Sequence, residues 1–326
     1  MAAPTLIFLQ RQLWIWPLVA AVLLGLIGIG LRSSVNTAVQ AQLKSELETL
    51  LQADVEALKI WLEMQKANAQ SAADTPAIKR IYQDLLAVSR EPGDLTRNLS
   101  TSAATEQLAK EMSAWIDDDV YTGYILADTE ERILCSHAIE LLGRQKLPGY
   151  GEFLSKALAG HAVVSHPFPS LILIEDKMTG RASAQRPTMY AAAPVTDANE
   201  NVIGVLGLRL KPEVDFTRIL RVARGGKTGE TYAFNRDGLL LSKSRFDDEL
   251  KEFSLIPNLP EAQSILQLEL RDPGGDLTKG FRPTLPRAQW SLTVPVADAV
   301  QEHSNSKTEE DRDYRNSNTD GYRDYR

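Results

Sequence analysis

The sequence predicts an α+β protein, with a helical N-terminal part followed by antiparallel hairpins. Three observations predict it. Residues 13–31 form an uncharged apolar run, a stripe of apolar residues at helical spacing follows, and turn-punctuated β-forming stretches begin near Tyr121.

The run "LWIWPLVAAVLLGLIGIGL" is closed by Arg11 and Arg32. About 20 uncharged residues match the hydrocarbon thickness of a bilayer. Trp14 and Trp16 stand where an interfacial aromatic belt would lie. A cleaved signal peptide is the alternative, but its apolar region is about 7–15 residues and ends at a small-x-small site. The stretch "GLRSSVNTAVQ" offers no convincing site, so a retained transmembrane helix is expected. Charge does not set its orientation, because Arg11 and the α-amine are matched by Arg32 and Lys44.

After this run Val35, Val39, Leu43, Leu47, Leu50, Leu51, Val55, Leu58 and Leu62 recur at three- and four-residue steps. That is one apolar stripe on a long amphipathic helix, a stalk able to pair two chains. "DTPAIKRIYQDLLAVSR" restarts a helix with Asp74 or Thr75 as cap and Pro76 in its first turn. A further helix is expected from Thr105 to Trp115.

The period then changes to two. "YTGYILADTEERILCSH" reads as a hairpin whose turn opens at Asp128. "PGYGEFLSKALAG" reads as a short helix stopped by Gly160, and "RPTMYAAAPVTDANENVIGVLGLRL" as a second hairpin turning at Asp197 to Asn201. A helix in "KPEVDFTRILRVA" leaves this unit. The theme then repeats, with a strand from Thr231 to Asn235, a turn to Gly238 and a strand from Leu239 to Ser242.

Composition narrows the function. A net charge of −7 argues against a nucleic-acid partner. The single Cys135 excludes an intrachain disulfide framework and thiolate metal clusters. His161 and His166 are an odd number apart, so on one strand they would face opposite sides. Asp117-Asp118-Asp119 reads as a polar connection between helix and strand. Gly226-Lys227-Thr228 resembles the end of a phosphate-binding loop, but Arg221 stands where its first glycine is needed and β-formers follow instead of a helix. These glycines read as a linker. No acid–base or nucleophile constellation is present, so neither catalysis nor a cofactor is expected.

Two stretches carry a family resemblance: "VIGVLGLRL" closing the first α+β unit and "GKTGETYAFNRDGLLLSKSRF" opening the second. They resemble the double Cache sensory domain of bacterial membrane receptors, which has two PAS-like modules in series. With "RPTMYAAAPV", "DFTRIL" and "LRDPGGDLT", the wording is most similar to sensor regions of planctomycete-type serine/threonine kinases and cyclases. The resemblance implies an inner-membrane, single-pass protein whose bulk is extracytoplasmic. It also implies further strands, a second membrane helix and an output domain after the closing "GYRDYR". The proximal module is therefore expected to be partial.

In amino-acid-binding members an Arg-x-Trp-Tyr motif binds the ligand carboxylate and an aspartate of the "GVLGxD" strand binds the ammonium. The corresponding positions here are Arg186, Thr188 and Tyr190, with Arg209 where the aspartate would stand. An ammonium does not favour two guanidinium groups. The resemblance therefore implies a small anionic ligand, carboxylate-like or phosphate. Strand parity sets Arg186, Thr188 and Tyr190 on one face, and Arg209 opposite Leu206, Leu208 and Leu210. The plain alternative for Arg209 is contact with solvent or a nearby acid.

The expected organisation is a cytoplasmic N-terminus (1–12), transmembrane helix (13–31), helical stalk (32–115), membrane-distal PAS-like Cache module (116–224), partial proximal Cache module (225–300) and disordered tail (301–326). The expected function is extracytoplasmic small-molecule sensing, without an output domain in this chain. The alternative is a structural or adhesive envelope protein that uses the stalk to oligomerise.

Overall fold

The computed structural model describes residues 15–116, 120–175, 182–183, 185–221 and 229–301. Trp14, Asp117 to Asp119, Gly226-Lys227-Thr228 and the tail beyond residue 301 lie outside the described residues, as do the expectations attached to them.

The apolar run and the stalk form one helix, α1 (Ile15–Ala73). The sequence reading treated them as separate elements. No proline or helix-stopping glycine lies between Arg32 and Ala73, so nothing interrupts the hydrogen-bond ladder. It is the one helix among the described residues long and apolar enough to cross a membrane. Its stripe divides in two. Val35, Val39, Leu43, Leu47, Leu51 and Val55 remain exposed, whereas Leu58, Trp61 and Leu62 pack into the core.

Three shorter helices follow: α2 (Pro76–Val88), α3 (Leu95–Ser100) and α4 (Ala103–Met112). Proline at the start of α2 lacks only an N–H that would be unbonded there anyway. Asp94 and Ser102 cap α3 and α4 by accepting from Arg97 N and Ala104 N.

The sheet is built from the two predicted hairpins, β1 (Gly123–Asp128) with β2 (Ile133–Ser136) and β7 (Pro187–Thr196) with β8 (Val202–Leu210). Between them lie α5 (Gly151–Leu158) and the two-residue strands β3 (Val163–Val164), β4 (Phe168–Pro169), β5 (Ile174–Glu175) and β6 (Ala182–Ser183). The main sheet runs β2-β1-β8-β7-β3, with β4 on the other end of β7, and every pairing is antiparallel. The chain's first and last long strands thus lie side by side at the centre, as in a PAS-like module.

Both faces of this sheet are covered, which is why its strands read as nearly unbroken apolar runs. Tyr124, Leu126, Met189, Ala191, Leu206 and Leu208 face the end of α1 and helices α2 and α4. Their alternate neighbours Ile125, Ala127, Tyr190, Ala192 and Val205 face α5.

One turn device recurs. Asp128 Oδ1 accepts from the N–H groups of Glu130 and Arg132, Asp197 Oδ1 from those of Asn199 and Asn201, and Asn235 Oδ1 from those of Asp237 and Leu239. The residue three positions on is left-handed each time: Glu131 at φ 62, Glu200 at φ 65 and Gly238 at φ 79.

The third turn does not open a long hairpin. The strands expected from Thr231 to Asn235 and from Leu239 to Ser242 shrink to single bridges, Phe234 with Leu240 and Leu239 with Glu269. Leu266, on the partner stretch, is itself left-handed at φ 60, which bends that stretch out of extended pairing. After the helices α6 (Asp215–Leu220) and α7 (Asp247–Glu252), the described chain continues with short helical turns at Leu277–Lys279 and Arg287–Gln289. Arg271 bridges Leu292, and Val296 is buried. A small core of Leu240, Ile256 and Leu268 holds this segment.

Candidate functional site

The face of the sheet beneath α5 carries the candidate site. Tyr190, on β7, is 2% exposed and lies at the middle of an aromatic cluster. Phe153 of α5 stacks on it at 5.3 Å between ring centres and 13° between planes. Phe168 of β4 stacks at 6.1 Å and Tyr150 tilts against it at 5.4 Å. The Tyr150 and Tyr190 hydroxyls are 3.3 Å apart. Burial pushes both phenols above their ordinary range, with Arg209 pulling weakly the other way. Both hydroxyls therefore remain donors.

Arg209 is the strand partner of Tyr190 across β7 and β8, so the two side chains share this face. Its guanidinium leans toward β1. Nε donates to Thr122 Oγ1 at 3.0 Å, and Nη2 donates to the Thr122 carbonyl. Gly123 leaves room for it, since a Cβ there would lie 3.2 Å from Arg209 Nε.

Thr188 is 1% exposed, and its hydroxyl has no hydrogen-bond partner among the described residues. Arg186 lies just before β7 at the same end of the sheet. Its Nη2 stands 3.6 Å from Oε1 of Glu213, with both side chains largely buried. Arg186 also lines a crevice of 190 Å³ with Pro257, Leu259, Glu261 and Gln263 of the following segment.

The structure thus brings Tyr190 and Arg209 together and sets Arg186 further along the same sheet end. A cleft of 360 Å³ opens on the outer side of the aromatic cluster, against Gly149, Phe153, Lys156, His166 and Phe168. Sequence reasoning missed Glu213. The hairpin register carried a partial signal: Tyr190 pairs with Arg209 and Met189 with Leu210, and past the end of β8 the chain turns so that Glu213 meets Arg186. Tyr150, Phe153 and Phe168 had no such signal, because their contact with Tyr190 is purely tertiary.

No family model matches the chain, and no curated protein matches it. Similar solved structures include sensor domains and ligand-binding domains of receptors. The Escherichia coli DcuS sensor domain is 17% identical, with 50% of this chain and 93% of that one covered at a TM-score of 0.30. The Vibrio cholerae histidine kinase DctB sensor domain is 16% identical over 54% of this chain and 58% of that one, at 0.30. The ligand-binding domain of Campylobacter jejuni chemoreceptor Tlp3, in complex with 4-methylisoleucine, is 13% identical over 68% and 75%, at 0.34.

Proposed function

We propose that this chain is the extracytoplasmic input region of a membrane-anchored receptor of the double Cache type, and that it senses a small anionic ligand. In this reading residues 13–31 are the anchor, a distal module ends near residue 224, and a proximal segment follows. The observation that carries it is the Tyr190–Arg209 pair, a cation and a phenol donor fixed by strand register at the sheet end that also holds Arg186. Each charge-assisted hydrogen bond to a buried ligand contributes about 1.5–3 kcal/mol. Arg186→Ala and Arg209→Ala should therefore each weaken binding about tenfold or more. Calorimetry on the full chain in detergent, with acetate, malonate, phosphate and ethylamine as probes, checks this. Tight binding of ethylamine, or no loss on either substitution, would sink the anionic assignment.

The anchor has its own test. Membranes washed with alkaline carbonate should retain the full-length chain. Recovery of a soluble form starting shortly after Leu31 would show that the apolar run is a cleaved signal.

The exposed stripe from Val35 to Val55 supports pairing of two chains through α1. That observation also favours the second reading, a structural or adhesive envelope protein. Such a protein would pair through the stalk without saturable binding of any of these probes.

A further inference from the structure

We propose that Glu213 is an internal competitor: its carboxylate occupies, on Arg186, the position of an anionic ligand and must be displaced for the ligand to bind. The proposal rests on the anion-sensing reading above. It makes Glu213 a residue that sets specificity, although it belongs to no recognised motif of this sequence.

The geometry is that of a pair made to separate. Arg186 and Glu213 are both largely buried, yet their closest approach is 3.6 Å. A well-made N⁺–H···O⁻ bond is about 2.7–2.9 Å. The other carboxylate oxygen, Oε2, is buried without a hydrogen-bond partner among the described residues. A buried carboxylate with one oxygen unmet is poorly solvated where it stands. Consistently, burial raises the proton affinity of Glu213, and Arg186, Lys211 and Lys243 only partly oppose this. A free carboxylate that met Arg186 with two oxygens would outcompete it.

The displaced group also has somewhere to go. Lys243, whose charge already acts on Glu213, holds Asp247 at a loose 3.8 Å. The Lys243 N–H donates to Thr217 Oγ1 on α6, and Arg221 Nη2 donates to the Ser244 carbonyl. Lys243 thus sits where the chain after the linker is fastened to the first module. Movement of Glu213 from Arg186 toward Lys243 would register occupancy at that fastening.

The experiment uses the full chain in detergent and acetate, which carries the head group of the glutamate itself. In Glu213→Ala, acetate should fill the emptied position and raise Tm by about 3 °C. Wild type should respond less, and adding Arg186→Met should abolish the rescue. No rescue, or rescue that survives Arg186→Met, overturns the proposal. If Glu213→Ala does not fold, the isosteric Glu213→Gln carries the test. It should bind whichever of acetate, malonate or phosphate binds wild type at least tenfold more tightly. Lys243→Met should weaken that binding in wild type and leave it unchanged in Glu213→Gln, and additive effects would overturn the transfer to Lys243. Equal affinity of wild type and Glu213→Gln overturns the competitor and leaves the sensor reading standing. Absence of binding in both, with acetate rescue of Glu213→Ala intact, overturns the sensor reading instead.

Discussion

Tyr190→Ala is expected to destabilise the first module by about 3–5 kcal/mol, the range for removing a fully buried aromatic ring. Tyr190 is 2% exposed, and three rings close on it, those of Phe153, Phe168 and Tyr150. None of the three can collapse into the space freely. Phe168 already lies so near Gly149 that a Cβ there would meet its ring at 2.5 Å, and Phe153 is held within α5. Tyr190→Phe keeps the stacking and loses only the hydroxyl contact with Tyr150, so it should cost about 0.5–1.5 kcal/mol. Urea unfolding of the full chain, followed by circular dichroism, separates the two variants. A loss from alanine no larger than that from phenylalanine would mean that the cluster does not hold the module.

Gly204→Ala should be as damaging for the opposite reason. A Cβ on Gly204 would lie 2.5 Å from the backbone carbonyl oxygen of Ala127 on the neighbouring strand, and it would collide with the Tyr82 hydroxyl, which donates to the carbonyl of Ile203. A side chain could turn aside, but the central strand of a covered sheet cannot. Overpacking of this kind costs about 1–3 kcal/mol and sometimes more, and at this position a loss of about 3 kcal/mol or greater is expected. Gly28→Ala is the control, since a Cβ there meets nothing within 4 Å. Thermal melts of the two variants decide the matter, and a Gly204→Ala melt matching wild type would refute the packing described for β8. Tyr82→Phe in the Gly204→Ala background should recover little, because the ring carbon Cε2 would still lie 2.5 Å from the new Cβ and the bond to the Ile203 carbonyl is lost.

Much of this fold was legible because its signals are local. Asp128 and Asp197 announce their turns by their own side chains, and the apolar runs around them leave little choice but a covered sheet. The third turn, at Asn235, was legible for the same reason, yet the strands after it were not. Their length depends on the partner stretch near Leu266, whose left-handed backbone leaves no mark in the apolar pattern. The strands β3 to β6, of two residues each, are too short to have a period at all. At the candidate site, parity applies to Thr188 and Tyr190 on β7, whereas Arg186 lies just before that strand. The lean of Arg209 toward Thr122 and the stacking of Phe153 on Tyr190 depend on which segments meet in space, and no spacing in the sequence encodes that.

The unbroken course of α1 has a mechanical consequence. Trp61 packs against Phe216 at 6.3 Å between ring centres, Leu58 and Asp54 below it are still covered, and residues 31–49 are exposed throughout. About 23 residues of helix from Leu31 to Asp54, at about 1.5 Å each, make an arm of about 35 Å. Pivoting about Asp54, a tilt of about 1° would swing the arm's far end by about 0.6 Å. A shift at the sheet too small to alter any strand pairing would thus arrive magnified at the apolar end of α1, with no hinge along the way to absorb it.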